Sequence, residues 1–169
     1  MKALAVLVVF CWPLIGQEEV VNLNGTDLKL GMPKSEALDA LGIKNTIRRE
    51  SGENWCVKLK TDQTPDQCLS HVSFREDKLY IVYKTHATAW GDDAGNVVNA
   101  FFNEMKDLQA KGRESVDFDT TEMNMDSVRV RAVRVWVGNK EFDLTVTQSV
   151  GAPGSEVSFT ETLYARKNK

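Results

Sequence analysis

The side chains with chemistry to offer are few: His71, His86, the pair Cys56 and Cys68, an acidic run from Asp117 to Asp126, and the arginines Arg129, Arg131 and Arg134. A hydrolytic or transfer reaction needs a nucleophile, a base and a group that orients the base. His71 falls in a predicted strand and His86 at the end of the next, so a hairpin can bring them near each other, but no third member of a triad is evident. No glycine-rich loop ending in Lys and Ser or Thr is present to cradle phosphate. A zinc site begun by the two cysteines has only His71 and His86 to complete it, and neither stands at ligand spacing. The sequence thus predicts no catalytic residue, no cofactor and no metal, and reads as a protein other than an enzyme. The run Asp117–Asp126 alternates oxygen ligands but lacks the glycine and terminal glutamate of a helix-flanked calcium loop, so it reads as a solvated strand edge or loop. The three arginines are followed by Glu141 and Asp143 on the adjoining strand, which predicts a salt-bridged sheet face.

Cys56 and Cys68 are expected to form a disulfide. They flank the segment Val57–Gln67, a strand running into a polar turn, so the chain can double back, and the number of cysteines beyond residue 16 is even. Closing so short a loop stabilises a fold by roughly 3 kcal/mol. The oxidising compartment this requires is also announced by the start of the chain. Met1-Lys2, an apolar run from Ala3 to Val9, Pro13 and the small Gly16 before Gln17-Glu18-Glu19 have the layout of a signal peptide over residues 1–16. About 13 apolar residues would span about 20 Å of helix, short of a roughly 30 Å hydrocarbon layer, so no transmembrane helix is expected in the mature chain. Cys11 follows the large Phe10 within the apolar stretch and reads as filler rather than a lipid attachment site. Asn24-Gly25-Thr26 is a glycosylation sequon, but the short leader points to a bacterial source, where the triplet is only a turn.

Residues 17–169 are expected to form one domain. A net charge of −3 leaves no basic surface for nucleic acid or anionic lipid, so a partner must be recognised by local surface.

The elements that would position these residues begin with an extended Val20–Leu23, an Asn24-Gly25 turn and Leu28–Leu30. Pro33 is pre-set for a helix start, and Ala37, Leu38 and Leu41 share a face, predicting a helix over 33–41 ended by Gly42. Strands follow around Ile47 and over Trp55–Leu59. A hairpin then joins Val72–Phe74 to Leu79–Tyr83 through Arg75-Glu76-Asp77-Lys78. Ala87–Gly91 reads as a connection, with Asp92 or Asp93 capping a longer helix whose face is Val98, Phe101, Phe102, Met105 and Leu108 and whose end is Gly112. The rest is strand-rich: Val116–Phe118, Val128–Val137, Phe142–Val146 and Val157–Leu163. Apolar parity changes within Val128–Val137, predicting a β-bulge near Ala132. The expected class is α+β, an antiparallel sheet with one short and one longer helix. Residues 92–148 repeat the order helix then strands, as a diverged second copy would.

The run Leu28-Lys29-Leu30-Gly31-Met32-Pro33 through Leu41-Gly42, then Trp55 and His71-Val72-Ser73-Phe74-Arg75-Glu76-Asp77-Lys78-Leu79-Tyr80-Ile81-Val82, resembles the repeat of the SmpA/OmlA (BamE-like) small outer-membrane lipoproteins. The same unit is similar to that of the β-lactamase-inhibitor-protein fold. In both, a Gly-Met turn opens a short helix ending in Leu-Gly, and a hairpin with a charged turn follows. The resemblance covers about residues 28–84. It implies a periplasmic or secreted protein-binding module of the cell envelope whose partner is another envelope or extracellular protein. The second expectation is a small-molecule carrier with an apolar pocket between the sheet and the long helix, for which Trp55, Trp90 and Trp136 are the candidate wall residues; the same tryptophans are candidates for a binding surface.

Overall fold

The structure, a computed structural model, describes residues 20–61, 68, 70–110, 116–151 and 154–164. The expected leader at 1–16, the turn at Thr64–Asp66, and Gly112 lie outside these residues.

The chain opens with a hairpin of β1 (Val20–Leu23) and β2 (Thr26–Lys29), turned by Asn24 and Gly25, both at positive φ. Asn and Gly accept that left-handed geometry at least cost, which a two-residue hairpin of matching twist requires. Helix α1 (Lys34–Lys44) follows Pro33. Then come β3 (Asn45–Ser51), β4 (Asn54–Leu59), β5 (Ser70–Arg75) and β6 (Lys78–Trp90). A single 3-10 turn at Gly91–Asp93 leads into α2 (Ala94–Ala110). The chain closes with β7 (Val116–Met125), β8 (Val128–Val137), β9 (Lys140–Ser149) and β10 (Glu156–Tyr164). Each helix thus precedes four strands. The eight strands β3 to β10 form one antiparallel sheet in the order β3-β4-β5-β6-β10-β9-β8-β7, so the two halves meet where β6 pairs with β10.

The α+β expectation is overturned: among the described residues strand accounts for 61% and helix for 24%, a predominantly β molecule. The strands are longer than the sequence indicated. β6 continues through Ala87–Trp90, the stretch read as a connection, because β10 pairs with it as far as Glu156–Trp90. Ser- and Thr-rich segments that face solvent on one side carry little apolar alternation, so their strand character is silent until a neighbour supplies the hydrogen bonds.

Both helices and the β1–β2 hairpin lie on one face of the sheet. Around α1, Ala37 and Leu41 pack with Val21, Leu23, Leu28, Val57, Val72, Val82 and Leu163. Around α2, Val97, Phe101 and Leu108 pack with Val135, Phe142, Val157 and Phe159. The register assigns the opposite residues of each strand, among them Tyr83, Thr85, Thr88, Ser158, Thr160, Thr145 and Trp136, to the other face, which no helix among the described residues covers.

Three local expectations need correction. First, Gly42 does not end α1; the helix runs to Lys44. Its last carbonyls are satisfied by side chains, with Lys60 Nζ donating to Gly42 and Ile43 at 2.7 and 3.0 Å and Asn45 Nδ2 donating to Leu41 at 3.0 Å, so no left-handed glycine is needed to stop the helix. Second, the apolar stripe of α2 is rotated. Val97 is buried while Phe102 is 55% exposed. Third, β8 has no bulge at Ala132, since its pairing with β9 runs unbroken from Val128–Ser149 to Val137–Lys140. The change of parity reflects which face is covered: Val133, Val135 and Val137 meet the α2 side, whereas Val128, Val130 and Ala132 lie on the uncovered face. The irregularities instead fall in β3, in the β5–β6 pairing and in β6 opposite Phe159 and Thr160.

Candidate functional site

The uncovered face holds a groove of about 520 Å³ at the junction of the two halves of the sheet, lined by Glu50, His71, Tyr83, Thr88, Ser158 and Thr160 among others. Cys68 is joined to Cys56 by a disulfide, with Cα atoms 5.8 Å apart, and this holds the end of the β4–β5 connection over the face. Cys56 is consequently buried although its strand position points away from the core. Ser73 Oγ donates to Asn54 Oδ1 at 2.6 Å in the floor of the same groove.

His71 lies directly opposite Cys56 on β4 and Tyr83 on β6. Its Nδ1 stands 3.3 Å from Glu50 Oε2 and 3.8 Å from Cys68 Sγ. Ligand-type atoms from two strands and one loop therefore converge, although linear spacing gave no sign of it. The signal that could have found part of it is register, which sets His71 opposite Cys56 and so beside the disulfide: residues opposite one another in an antiparallel pair are neighbours whatever their distance in sequence. While the sulfur is tied up in a disulfide it offers no thiolate to a metal.

His86 is not a partner of His71. In the β6–β10 pairing, Ala87 faces Phe159 and Thr85 faces Thr160, so His86 is the extra residue of a bulge. The bulge re-aims its ring to the helix-covered side. There His86 Nε2 lies 3.0 Å from Glu161 Oε2, and Lys140 Nζ donates to Glu161 Oε1 at 2.7 Å. Glu161 is only 5% exposed. Burial pushes its carboxyl upward, but the His86 hydrogen bond and the charge and hydrogen bond of Lys140 outweigh it and bring the pKa to about 2. The group is an internal ion cluster that ties three strands together, and its carboxylate oxygens are already occupied by these two partners.

The candidate tryptophans do not share one wall. Trp55 lies on the helix-covered side, half-buried beside the α1 core, with Lys34 and Arg49 over its ring at 5.6 and 5.9 Å. Its buried Nε1 has no hydrogen-bond acceptor among the described residues. Trp90 is 54% exposed at the end of β6 on the uncovered face. Trp136 is on that face too, but the registers put it roughly 20 Å along the strand direction and roughly 14 Å across from Trp90. The space between α2 and the sheet is filled by the Val97, Phe101, Leu108, Phe142 and Phe159 side chains.

Trp136 belongs to a polar cluster. Its Nε1 donates to Glu141 Oε2 at 2.9 Å, and Arg134 Nε meets Asp143 Oδ1 at 2.9 Å. Burial, then the hydrogen bond and charge of neighbouring Glu141, push Asp143 up to about 6 in spite of Arg134. Arg131 pairs instead with Glu122, at 3.3 Å. The acidic run lies mostly in β7, the outer strand of the sheet. Strand alternation places Asp117 and Asp119 on one face and Glu122 on the other, so these carboxylates do not converge.

No family model matches the chain, and no curated protein or solved structure matches it either. No helix among the described residues is long and apolar enough to cross a membrane.

Proposed function

We propose that this is an exported, protein-binding module of the cell envelope that grips another envelope or extracellular protein across the uncovered face of its eight-stranded sheet. The single observation that carries this reading is the one-sided packing: helices and hairpin all sit on one side. The free face offers Tyr83, Trp90, Trp136 and Tyr164 amid a lattice of serines and threonines. Tyrosine and tryptophan supply rigid contact area with a polar tip, and short hydroxyl side chains supply adaptable hydrogen bonds, the composition of a polar recognition surface. The groove at its centre gives a protruding loop a place to enter. The signal-peptide layout and the resemblance of residues 28–84 to envelope lipoproteins support the compartment.

The test is binding of the purified chain to envelope proteins, compared among surface variants by calorimetry. Thr88→Arg and Ser158→Arg, paired neighbours on the free face, should weaken capture at least tenfold. Gln109→Arg, on the exposed side of α2, should leave it unchanged. Equal affinity for all three variants would refute the assignment of this face.

A further inference from the structure

Three side chains with metal-ligating atoms converge on the uncovered face, Glu50 from β3, His71 from β5 and Cys68 from the end of the connection between β4 and β5, with their ligand atoms within 4.8 Å of one another, and Cys56 of β4 is bonded to Cys68 and stands opposite His71. In a tetrahedral zinc site with metal–ligand bonds of 2.0 to 2.3 Å, a nitrogen and an oxygen ligand lie about 3.4 Å apart and a nitrogen and a sulfur about 3.6 Å apart. The distances here are 3.3 Å between His71 Nδ1 and Glu50 Oε2, and 3.8 Å between His71 Nδ1 and Cys68 Sγ. Two edges of the tetrahedron are therefore already in place. The sulfur–sulfur edge is closed by the disulfide, which must open before both sulfurs can reach the about 3.8 Å that a shared zinc sets.

We propose that Cys56, Cys68, His71 and Glu50 form a latent zinc site, masked by the disulfide and exposed when a dithiol reduces it. The dithiol gives two electrons and two protons to the S–S bond. It leaves as its own disulfide, and the chain keeps two thiols. Binding of Zn²⁺ then releases the two thiol protons to solvent, leaving two thiolates, a neutral imidazole and a carboxylate around the ion. That ligand set carries one negative charge more than the metal neutralises. The guanidinium of Arg48, 3.8 Å from Glu50 and directly opposite Cys56, stands where it offsets the excess. Soft thiolates with imidazole favour zinc over the hard cations magnesium and calcium. His71 is held by β-sheet pairing, and Glu50 stands between Arg49 and Ser51, which both pair with β4, so the strands rather than the disulfide place these two ligands.

The full chain is reduced with a dithiol, freed of it by anaerobic gel filtration, and titrated with Zn²⁺ against a chromophoric chelator, beside the oxidised chain. One Zn²⁺ per reduced chain and none per oxidised chain is expected. Co²⁺ in place of zinc should give thiolate-to-metal charge-transfer absorption. His71→Ala and Glu50→Gln retain both cysteines, and circular dichroism of their oxidised forms checks the fold. Each should weaken zinc binding by more than the roughly 10–100-fold that loss of an outer-shell partner costs. A reduced chain that stays folded and takes up no zinc overturns the proposal, as do His71→Ala and Glu50→Gln chains that titrate like the parent. If reduction melts the domain, zinc must restore the folded spectrum, and failure to recover it overturns the proposal as well.

Discussion

The imidazole of His86 lies flat against the ring of Phe159, with centroids 4.4 Å apart and planes 12° from parallel. One extra residue in β6 puts it there, and the same displacement lets its Nε2 reach Glu161. Phe159 also meets Phe101 of α2 edge-on at 5.4 Å, so the stack joins the seam between the two halves of the sheet to the core beneath the long helix.

The ion cluster on this stack makes stability fall in acid. The Glu161 carboxyl has a folded pKa of about 2 against an ordinary 4.5, so the unfolded chain binds more protons than the folded one between those values. The stabilisation is complete above about 4.5 and is lost as pH falls through 2, amounting to about 3 kcal/mol. Urea titrations across that range should show the unfolding midpoint sliding downward. Glu161→Gln should cost a similar amount at neutral pH and flatten the slope; an unaltered acid limb in that variant would remove the cluster from the account.

Asp143 should act in the opposite sense. Its folded pKa of about 6 exceeds the ordinary 3.8 because burial and Glu141 disfavour its charge. Between those values the folded state holds the extra proton, and stability declines as pH rises. Asp143→Asn should therefore raise thermal stability above pH 6, by on the order of 1 kcal/mol once solvent screening is allowed for. A lower melting temperature for the variant at pH 8 would show that the Arg134 contact outweighs the repulsion.

The disulfide should contribute roughly 3 kcal/mol through the entropy it removes from the unfolded chain. The double variant Cys56→Ser, Cys68→Ser should unfold at correspondingly lower denaturant, with little change in far-ultraviolet dichroism. An unfolding midpoint equal to that of the parent would mean that the loop is already closed by other contacts in the unfolded ensemble.

The rotation of α2 is tested by two adjacent residues. Phe101→Ala should cost about 3–5 kcal/mol, because the ring is buried against Phe159. Phe102→Ala should cost less than about 1 kcal/mol, because more than half of that ring is in solvent. Equal penalties would restore the stripe that helical spacing alone suggested.

Local physics was legible in the sequence, and pairing across distance was not. The Asn24-Gly25 turn, the proline start of α1, the β5–β6 hairpin and the partnership of Cys56 with Cys68 follow from short-range geometry, and the structure agrees with each. Where α1 stops was set by Lys60, a residue of another segment. The full length of β6 was set by β10, more than sixty positions later in the chain. Glu50, Cys56, Cys68 and His71 were all in view, but the register that puts His71 opposite Cys56, the disulfide that brings Cys68 to Cys56 and the irregularity of β3 at Glu50 make them neighbours.

By itself, then, the sequence determined turns, helix starts, the disulfide and the apolar supply for a core, because each depends on residues within a few positions or on composition. Tertiary structure decided that sheet dominates, that both helices share one face, and that His71 and His86 look in opposite directions. Those outcomes depend on strand register and on a single bulge, and moving a strand by one residue exchanges its two faces without changing a letter of the sequence.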